Sequence, residues 1–185
     1  MEESLHVFIN NGLKSINNHK IKILEFGLGT GLNALLSLLK SSKKIKYVSI
    51  EKFPLDYTLI NQLNYAKTKK EKNLFEKIHS SDWNRKINIT KSFTFKKIKI
   101  DFIEFQSKEK FNVIYYDAFS PSVQPELWTK EVFEKTFNLL DKEGVLVTYC
   151  AKGVVKRTLK EVGFEVISLP GPPGKREMTK AVKNV

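Results

Sequence analysis

The stretch Ile23-Leu24-Glu25-Phe26-Gly27-Leu28-Gly29-Thr30-Gly31-Leu32-Asn33 decides how this chain is read. A short apolar strand carries an acid near its end, passes through three alternating glycines and enters an apolar helical pattern. An open α/β sheet builds a nucleotide-shaped ligand site in this way, at the carboxyl end of its first strand. Without a Cβ, Gly27, Gly29 and Gly31 can adopt positive φ and let a ligand approach the main chain closely. The spacing narrows the choice of ligand. A dinucleotide fingerprint, G-x-G-x-x-G, would need glycine at Leu32. A tight strand-to-helix turn with no ligand is the simpler alternative.

Working outward, strands and helices alternate. Residues 4–16 place Leu5, Phe8, Ile9, Leu13 and Ile16 at amphipathic-helix spacing. Strand one is Ile21–Phe26, a helix covers Leu32–Leu39, and strand two, Lys46–Ile50, ends at Glu51. Pro54 opens a helix expected over Leu55–Tyr65, and a second amphipathic stretch covers Glu71–Ile78. Residues 80–95 read weakly, as a loop and an edge hairpin. Ile98–Ile100 reads as strand three, ending at Asp101. Phe111–Tyr116 reads as a buried strand ending at Asp117, Glu126–Leu140 as a helix, Val145–Tyr149 as a strand and Val154–Val162 as a helix. Glu165–Leu169 and Glu177–Val182 read as a closing hairpin. This order implies an α/β fold with a doubly wound, mainly parallel sheet and an antiparallel C-terminal hairpin, in one domain spanning 1–185.

Composition bounds the rest. A chain of 185 residues with 41% hydrophobic content is long enough for a full core. No apolar run approaches the ~20 residues of a membrane span, and the acidic start Met1-Glu2-Glu3 lacks a secretory layout. The single cysteine, Cys150, permits no internal disulfide; it points to a reducing, cytoplasmic location and reads as an inert, partly buried thiol. His6, His19 and His79 are scattered, so no metal site is expected, and each reads as a surface or capping residue. The net charge of +12 points to a polyanionic partner. Against that, only three of the 32 basic residues are arginine, and the lysines accompany abundant isoleucine and asparagine, as AT-rich coding produces.

The motif E-x-G-x-G-x-G resembles the first motif of class I S-adenosylmethionine-dependent methyltransferases, which have a Rossmann-like fold. That resemblance gives the strand-end acids a purpose. The ammonium and sulfonium of S-adenosylmethionine are cationic, and its ribose and adenine offer hydrogen-bond donors. Glu51 lies 20 residues after Gly31, where an acid reaches ribose hydroxyls. Asp101 stands where the class places an acceptor for the adenine amino group. Glu25 would orient the glycine loop and the methionine end of the cofactor.

A second segment is more specific. Val113-Ile114-Tyr115-Tyr116-Asp117-Ala118-Phe119-Ser120-Pro121, followed by Gln124-Pro125-Glu126-Leu127-Trp128, resembles the D-[AG]-F-[AS]-P and (N/Q)-P-[DE]-[LM]-W segments of the MnmC-type tRNA methyltransferases. Glu25–Asn33 matches that family's loop with its G-L-N ending, Leu139–Cys150 and Gly153–Gly163 match its later strand and helix, and Lys175-Arg176-Glu177-Met178 matches its K-R-E-M signature. The resemblance spans about residues 5–182. It implies N-methylation of 5-aminomethyl-2-thiouridine at the tRNA wobble position, with S-adenosyl-L-methionine as cofactor, tRNA as partner, and an upstream tRNA-modifying enzyme supplying the aminomethyl group. The chain departs from the family in lacking its N-terminal β extension and in carrying Glu143-Gly144 for its G-G. It is expected to be the stand-alone methyltransferase form, without a fused oxidase.

Roles follow from the same resemblance. Asp117 is expected to accept a hydrogen bond from the substrate amine and help take its proton. Phe119 and Trp128 would form a wall for the base, with Pro121 stiffening the loop. Arg157, Lys175 and Arg176 are candidate phosphate contacts. Trp128 reads equally well as packing its helix onto the sheet. Two alternatives stay open: a methyltransferase or aminopropyltransferase of the same fold acting on a free small amine, and a catalytically weak tRNA-binding module.

Overall fold

The computed structural model describes residues 1–185. Its centre is an eight-stranded sheet in the order β3-β4-β2-β1-β5-β6-β8-β7. The strands are β1 (Lys20–Phe26), β2 (Lys44–Glu51), β3 (Lys86–Thr90), β4 (Phe93–Lys99), β5 (Phe111–Tyr116), β6 (Leu140–Thr148), β7 (Glu165–Pro170) and β8 (Glu177–Val182). β4, β2, β1, β5 and β6 run parallel, β3 and β8 run against their neighbours, and β7, hairpinned to β8, returns to the direction of the central strands. The helices are α1 (Glu2–Ser4), α2 (Leu32–Lys40), α3 (Tyr57–Ile60), α4 (Lys69–Ser80), α5 (Lys130–Leu139) and α6 (Gly153–Val162).

Side chains alternate across the pleat and feed two cores. Ile21 and Ile23 of β1 and Val113 and Tyr115 of β5 face the N-terminal segment, α2 and α4. Leu24 and Phe26, with Ile114 and Tyr116, face the opposite layer with α5 and α6. Strands buried on both faces read as continuous apolar runs, which is why β1 and β5 stand out in the sequence.

Four boundaries differ from the sequence reading. Residues 4–16 are not one helix: α1 widens into a π-helical turn over Leu5–Asn10, followed by a 3-10 turn at Leu13–Ser15. That widening places the consecutive residues Val7, Phe8 and Ile9 all in the core. The expected helix over 55–65 shrinks to α3, which Asp56 caps by accepting from the Thr58 N–H; after Ile60 the chain goes on in i→i+3 bonds at Gln62 and Leu63. Strand three begins at Phe93 rather than Ile98 and pairs with β2 along its length. Glu126–Leu140 divides into a 3-10 turn, Pro125–Trp128, and α5, because Thr129 is extended and its hydroxyl caps α5 at the Val132 N–H. No helix is long and apolar enough to cross a membrane.

Candidate functional site

Strand order reverses between β1 and β5, and the crevice beyond their carboxyl ends is where open α/β sheets bind ligands. A cleft of about 360 Å³ lies there. Its walls are the loop Gly27–Thr30 with Asn33, the β2 end Glu51-Lys52-Phe53, the β4 exit Ile100-Asp101-Phe102, and Asp117-Ala118-Phe119 after β5.

The glycine loop is built as its sequence requires. φ is +84° at Gly27, +48° at Gly29 and +72° at Gly31, all in the left-handed region. A Cβ on Gly29 would meet no protein atom within 4 Å, so that position is open to a ligand. A Cβ on Gly31 would come within 2.6 Å of His79 Nε2. His79 is buried rather than a surface or capping group; its ring packs edge-on against Phe75, and Nε2 lies 3.2 Å from the Thr30 carbonyl. Burial lowers its pKa to about 4, so the ring is neutral and its N–H can support the loop from behind. Nothing in the spacing of His79 distinguished it from a solvent-facing histidine.

The four strand-end acids occupy two kinds of environment. Glu25, expected to orient the glycine loop and a cofactor's methionine end, is fully buried and does not line the cleft. Its Oε2 accepts from the Ser49 hydroxyl at 2.7 Å, while Oε1 has no partner. Burial is the main force on this carboxyl, and its pKa rises to about 8. Asn33 donates Nδ2–H to Asp117 Oδ2 at 2.8 Å, and its own Oδ1 is likewise buried without a partner. The Tyr47 hydroxyl is buried without a partner as well, and Ser49, Asn33 and Tyr47 favour the ionised form of Glu25 against the burial that raises it. Burial also raises Asp117, to about 7, with Asn33 opposing that shift.

The outer acids accept from main-chain donors. Glu51 accepts from the Gly29 N–H at 3.0 Å and the Phe53 N–H at 2.8 Å, tying the glycine loop to the β2 exit. Asp101 accepts from the Ile103 N–H at 2.9 Å and pairs with Lys52 at 2.7 Å. Burial pushes the Asp101 carboxyl up, but Lys52 and Ile103 outweigh it and keep the carboxyl below its usual range. Lys52 was not anticipated: an exposed lysine after an acid is ordinary in sequence, and only folding sets it against Asp101.

Three polar handles fix the loop after β5. The Tyr149 hydroxyl donates to the Ala118 carbonyl at 2.8 Å, Trp128 Nε1–H donates to the Phe119 carbonyl at 2.8 Å, and the Tyr116 hydroxyl donates to the Leu127 carbonyl. Trp128 is therefore not a wall of the cleft. It is buried, edge-on to Tyr116 at 5.1 Å, and it positions Phe119, whose ring is 71% exposed at the cleft mouth. Pro121 is the second residue of the turn closed by the Val123 N–H on the Ser120 carbonyl; it shapes the loop without lining the cleft. Cys150 is buried, and burial raises its pKa.

Lys175 and Arg176 line a shallow depression beside Tyr149 at the cleft's edge. Lys175 pairs with Glu3 at 2.6 Å and lies over the Tyr149 ring. Arg157 is exposed on α6 and lines neither the cleft nor this depression.

A family model described as S-adenosyl-L-methionine-dependent methyltransferase matches residues 58–184. The chain belongs to that family. Among its relatives, the bifunctional protein MnmC of tRNA 5-methylaminomethyl-2-thiouridine biosynthesis from Campylobacter hominis is 32% identical over 192 residues, covering 98% of this chain and 28% of the relative. The protein of the same name from Leptospira interrogans is 32% identical over 203 residues, covering 96% and 30%. The chain thus spans under a third of the length of these relatives. The crystal structure of MnmC2 from Aquifex aeolicus superposes with a TM-score of 0.73 at 24% identity, covering 99% of this chain and 60% of that one, and supports the fold.

The family's cofactor is S-adenosyl-L-methionine, and this cleft suits it. Glu51, Asp101 and Asp117 outnumber Lys52, the one cationic side chain of the wall, matching a ligand with two positive centres, and the open flank of Gly29 is space that a side chain would fill. Gly27–Thr30, Glu51 and Asp101 line the cleft and could hold it.

Proposed function

We propose that this methyltransferase N-methylates 5-aminomethyl-2-thiouridine at the wobble position of tRNA, giving 5-methylaminomethyl-2-thiouridine, and that Asp117 is its catalytic residue. The observation that carries this reading is the pairing of Asp117 with Asn33 on the wall of the cleft, where a carboxylate with a pKa near 7 meets whatever enters past Phe119. The relatives' names supply the substrate class.

When bound, S-adenosyl-L-methionine supplies a methyl group on a sulfonium carbon already activated for displacement. The protein then has to position the amine and remove its proton. A primary alkylamine is largely protonated at neutral pH, near the lysine value of ~10.4. An arriving ammonium favours the charged form of Asp117. Asn33 holds Asp117 Oδ2, leaving Oδ1 to accept a hydrogen bond from the amine, align its lone pair and receive its proton. Phe119 offers an apolar surface to the base at the mouth of the cleft. Lys175 and Arg176 are placed to meet phosphates beside the cleft, and Arg157 further out. Cytoplasmic location and a preceding enzyme that installs the aminomethyl group belong to the same proposal.

The test is incubation with S-adenosyl-L-methionine and tRNA lacking the terminal methyl, followed by mass analysis of digested nucleosides. Formation of 5-methylaminomethyl-2-thiouridine supports the reading. Binding of the cofactor with no such product on that tRNA contradicts it.

A further inference from the structure

The positive charge of this chain is not spread evenly. Residues 67–99 contain eleven of the 32 basic residues but only three of the 20 acidic ones, a surplus of eight out of the net +12. The other 152 residues are close to balanced, so a coding bias toward lysine does not account for the pattern. This segment is structurally continuous: it is the approach to α4, α4 itself, the turn Ser81–Arg85 and the edge hairpin β3–β4.

Most of that charge is exposed and unpaired, although Lys97 is buried and donates to the His79 carbonyl. On α4, Lys69, Lys70, Lys72 and Lys77 are all exposed, and none is in an ion pair. Across the hairpin, Lys86 stands directly opposite Lys96, a like-charge pair that destabilises an isolated sheet edge. Arg85 alone in this segment has an acidic partner, Asp82, at 3.3 Å, and that pair is itself exposed. Elsewhere, by contrast, Lys22, Lys46, Lys52, Lys156 and Lys175 are each paired with a carboxylate.

The geometry links this surface to the cleft. α4 ends at the glycine loop, where His79 meets the Thr30 carbonyl, and β4 ends at Lys99 beside Asp101. From that end α4 runs back for twelve residues, about 18 Å at 1.5 Å per residue. It therefore presents a lysine stripe leading away from the cleft. Lys67 and Lys72 also line the groove between α4 and the 61–66 segment, beside the amides of Asn61, Gln62 and Asn64.

We propose that the α4–β3–β4 edge is a docking surface for the phosphate backbone of an RNA stem whose loop enters the cleft. It is separate from the Lys175–Arg176 contacts at the opposite rim. The occupant is RNA rather than an acidic protein because the surface is long and predominantly basic, with Glu71, Glu76 and Asp82 its only acids, and has amides beside it and few apolar anchors, the composition of backbone binding. This proposal rests on the tRNA reading above and gives that substrate a direction: its body lies over the β3 side of the sheet.

The test compares the wild-type chain with a variant carrying Lys69→Gln, Lys70→Gln, Lys72→Gln and Lys77→Gln, changes that keep good helix formers at exposed positions. Affinity for tRNA is measured as a function of salt, with circular dichroism and S-adenosyl-L-methionine binding as controls on the fold. The expected result is a loss of at least about tenfold in tRNA affinity, with the log–log salt slope smaller by about 0.7–0.9 for each phosphate contact removed. Cofactor binding and methylation of the free 5-aminomethyl-2-thiouridine nucleoside should be unchanged. Unchanged tRNA affinity and slope in a folded variant would overturn this surface and leave the tRNA reading intact. Absence of tRNA binding by the wild type, with cofactor bound, would overturn both.

Discussion

The inner and outer acids of the cleft make an instructive pair. Glu25, Glu51 and Asp117 sit at or next to strand ends and Asp101 just beyond one, and the four look equivalent in sequence. Yet Glu25 and Asp117 are driven upward by burial, to about 8 and about 7, whereas Asp101 is held low by Lys52 and the Ile103 N–H. Strand topology decides where an acid stands, and neighbouring donors decide whether it carries charge. The inner pair share one amide, Asn33, and provide a site that can take up or release a proton near neutrality. The outer pair are anchored to main-chain N–H groups, and Asp101 provides fixed negative charge.

The largest break in this comparison comes at Asp117. Asp117→Asn is expected to lower methyl transfer by 10²- to 10⁴-fold, the usual worth of a positioned base, while calorimetry finds S-adenosyl-L-methionine still bound. Next is Gly31→Ala. Its φ of +72° and the 2.6 Å approach to His79 force the loop to shift, at a cost of about 1–3 kcal/mol in urea denaturation and with weakened cofactor binding.

Glu25 separates charge from hydrogen bonding. Glu25→Ala leaves the Ser49 hydroxyl without its acceptor and is expected to destabilise by about 1–3 kcal/mol. Glu25→Gln keeps the neutral shape and should cost far less. The sign with pH is specific. A carboxyl raised by burial contributes its full stability below its ordinary value of 4.5 and loses it as pH climbs to about 8. The Gln variant should therefore gain on the wild type between about pH 5 and 8, as read by denaturation at the two ends of that window. The smallest effect belongs to the outer pair. Lys52→Met removes an exposed ion pair, and cofactor affinity should change by no more than about fivefold.

Much of this arrangement was legible before folding. Alternating glycines after an apolar strand, acids at four strand ends and the D-A-F-S-P segment located the cleft, because each depends on local backbone geometry or on a motif. Properties set by tertiary neighbours were not legible. Trp128 looked like a wall for a base but spends its N–H on the Phe119 carbonyl, and a tryptophan two residues before a helix reads the same in either role. β4 was shortened in the reading because Lys96 and Lys97 interrupt its apolar alternation; the structure buries Lys97, which donates to the His79 carbonyl and lies over the Trp83 ring. His79 and Glu25 were misplaced for the same reason, since burial from three elements at once leaves no periodic trace.

The central claim is that Glu25 and Asp117 titrate near neutrality while Asp101 stays ionised well below it. A carboxyl-carbon NMR titration of the cofactor-free chain, with Asp117→Asn and Glu25→Gln to assign the signals, tests it directly. Two carboxyls titrating near 7 and 8, one lost in each variant, is the predicted result. Both titrating in the ordinary range below about 5 would contradict it.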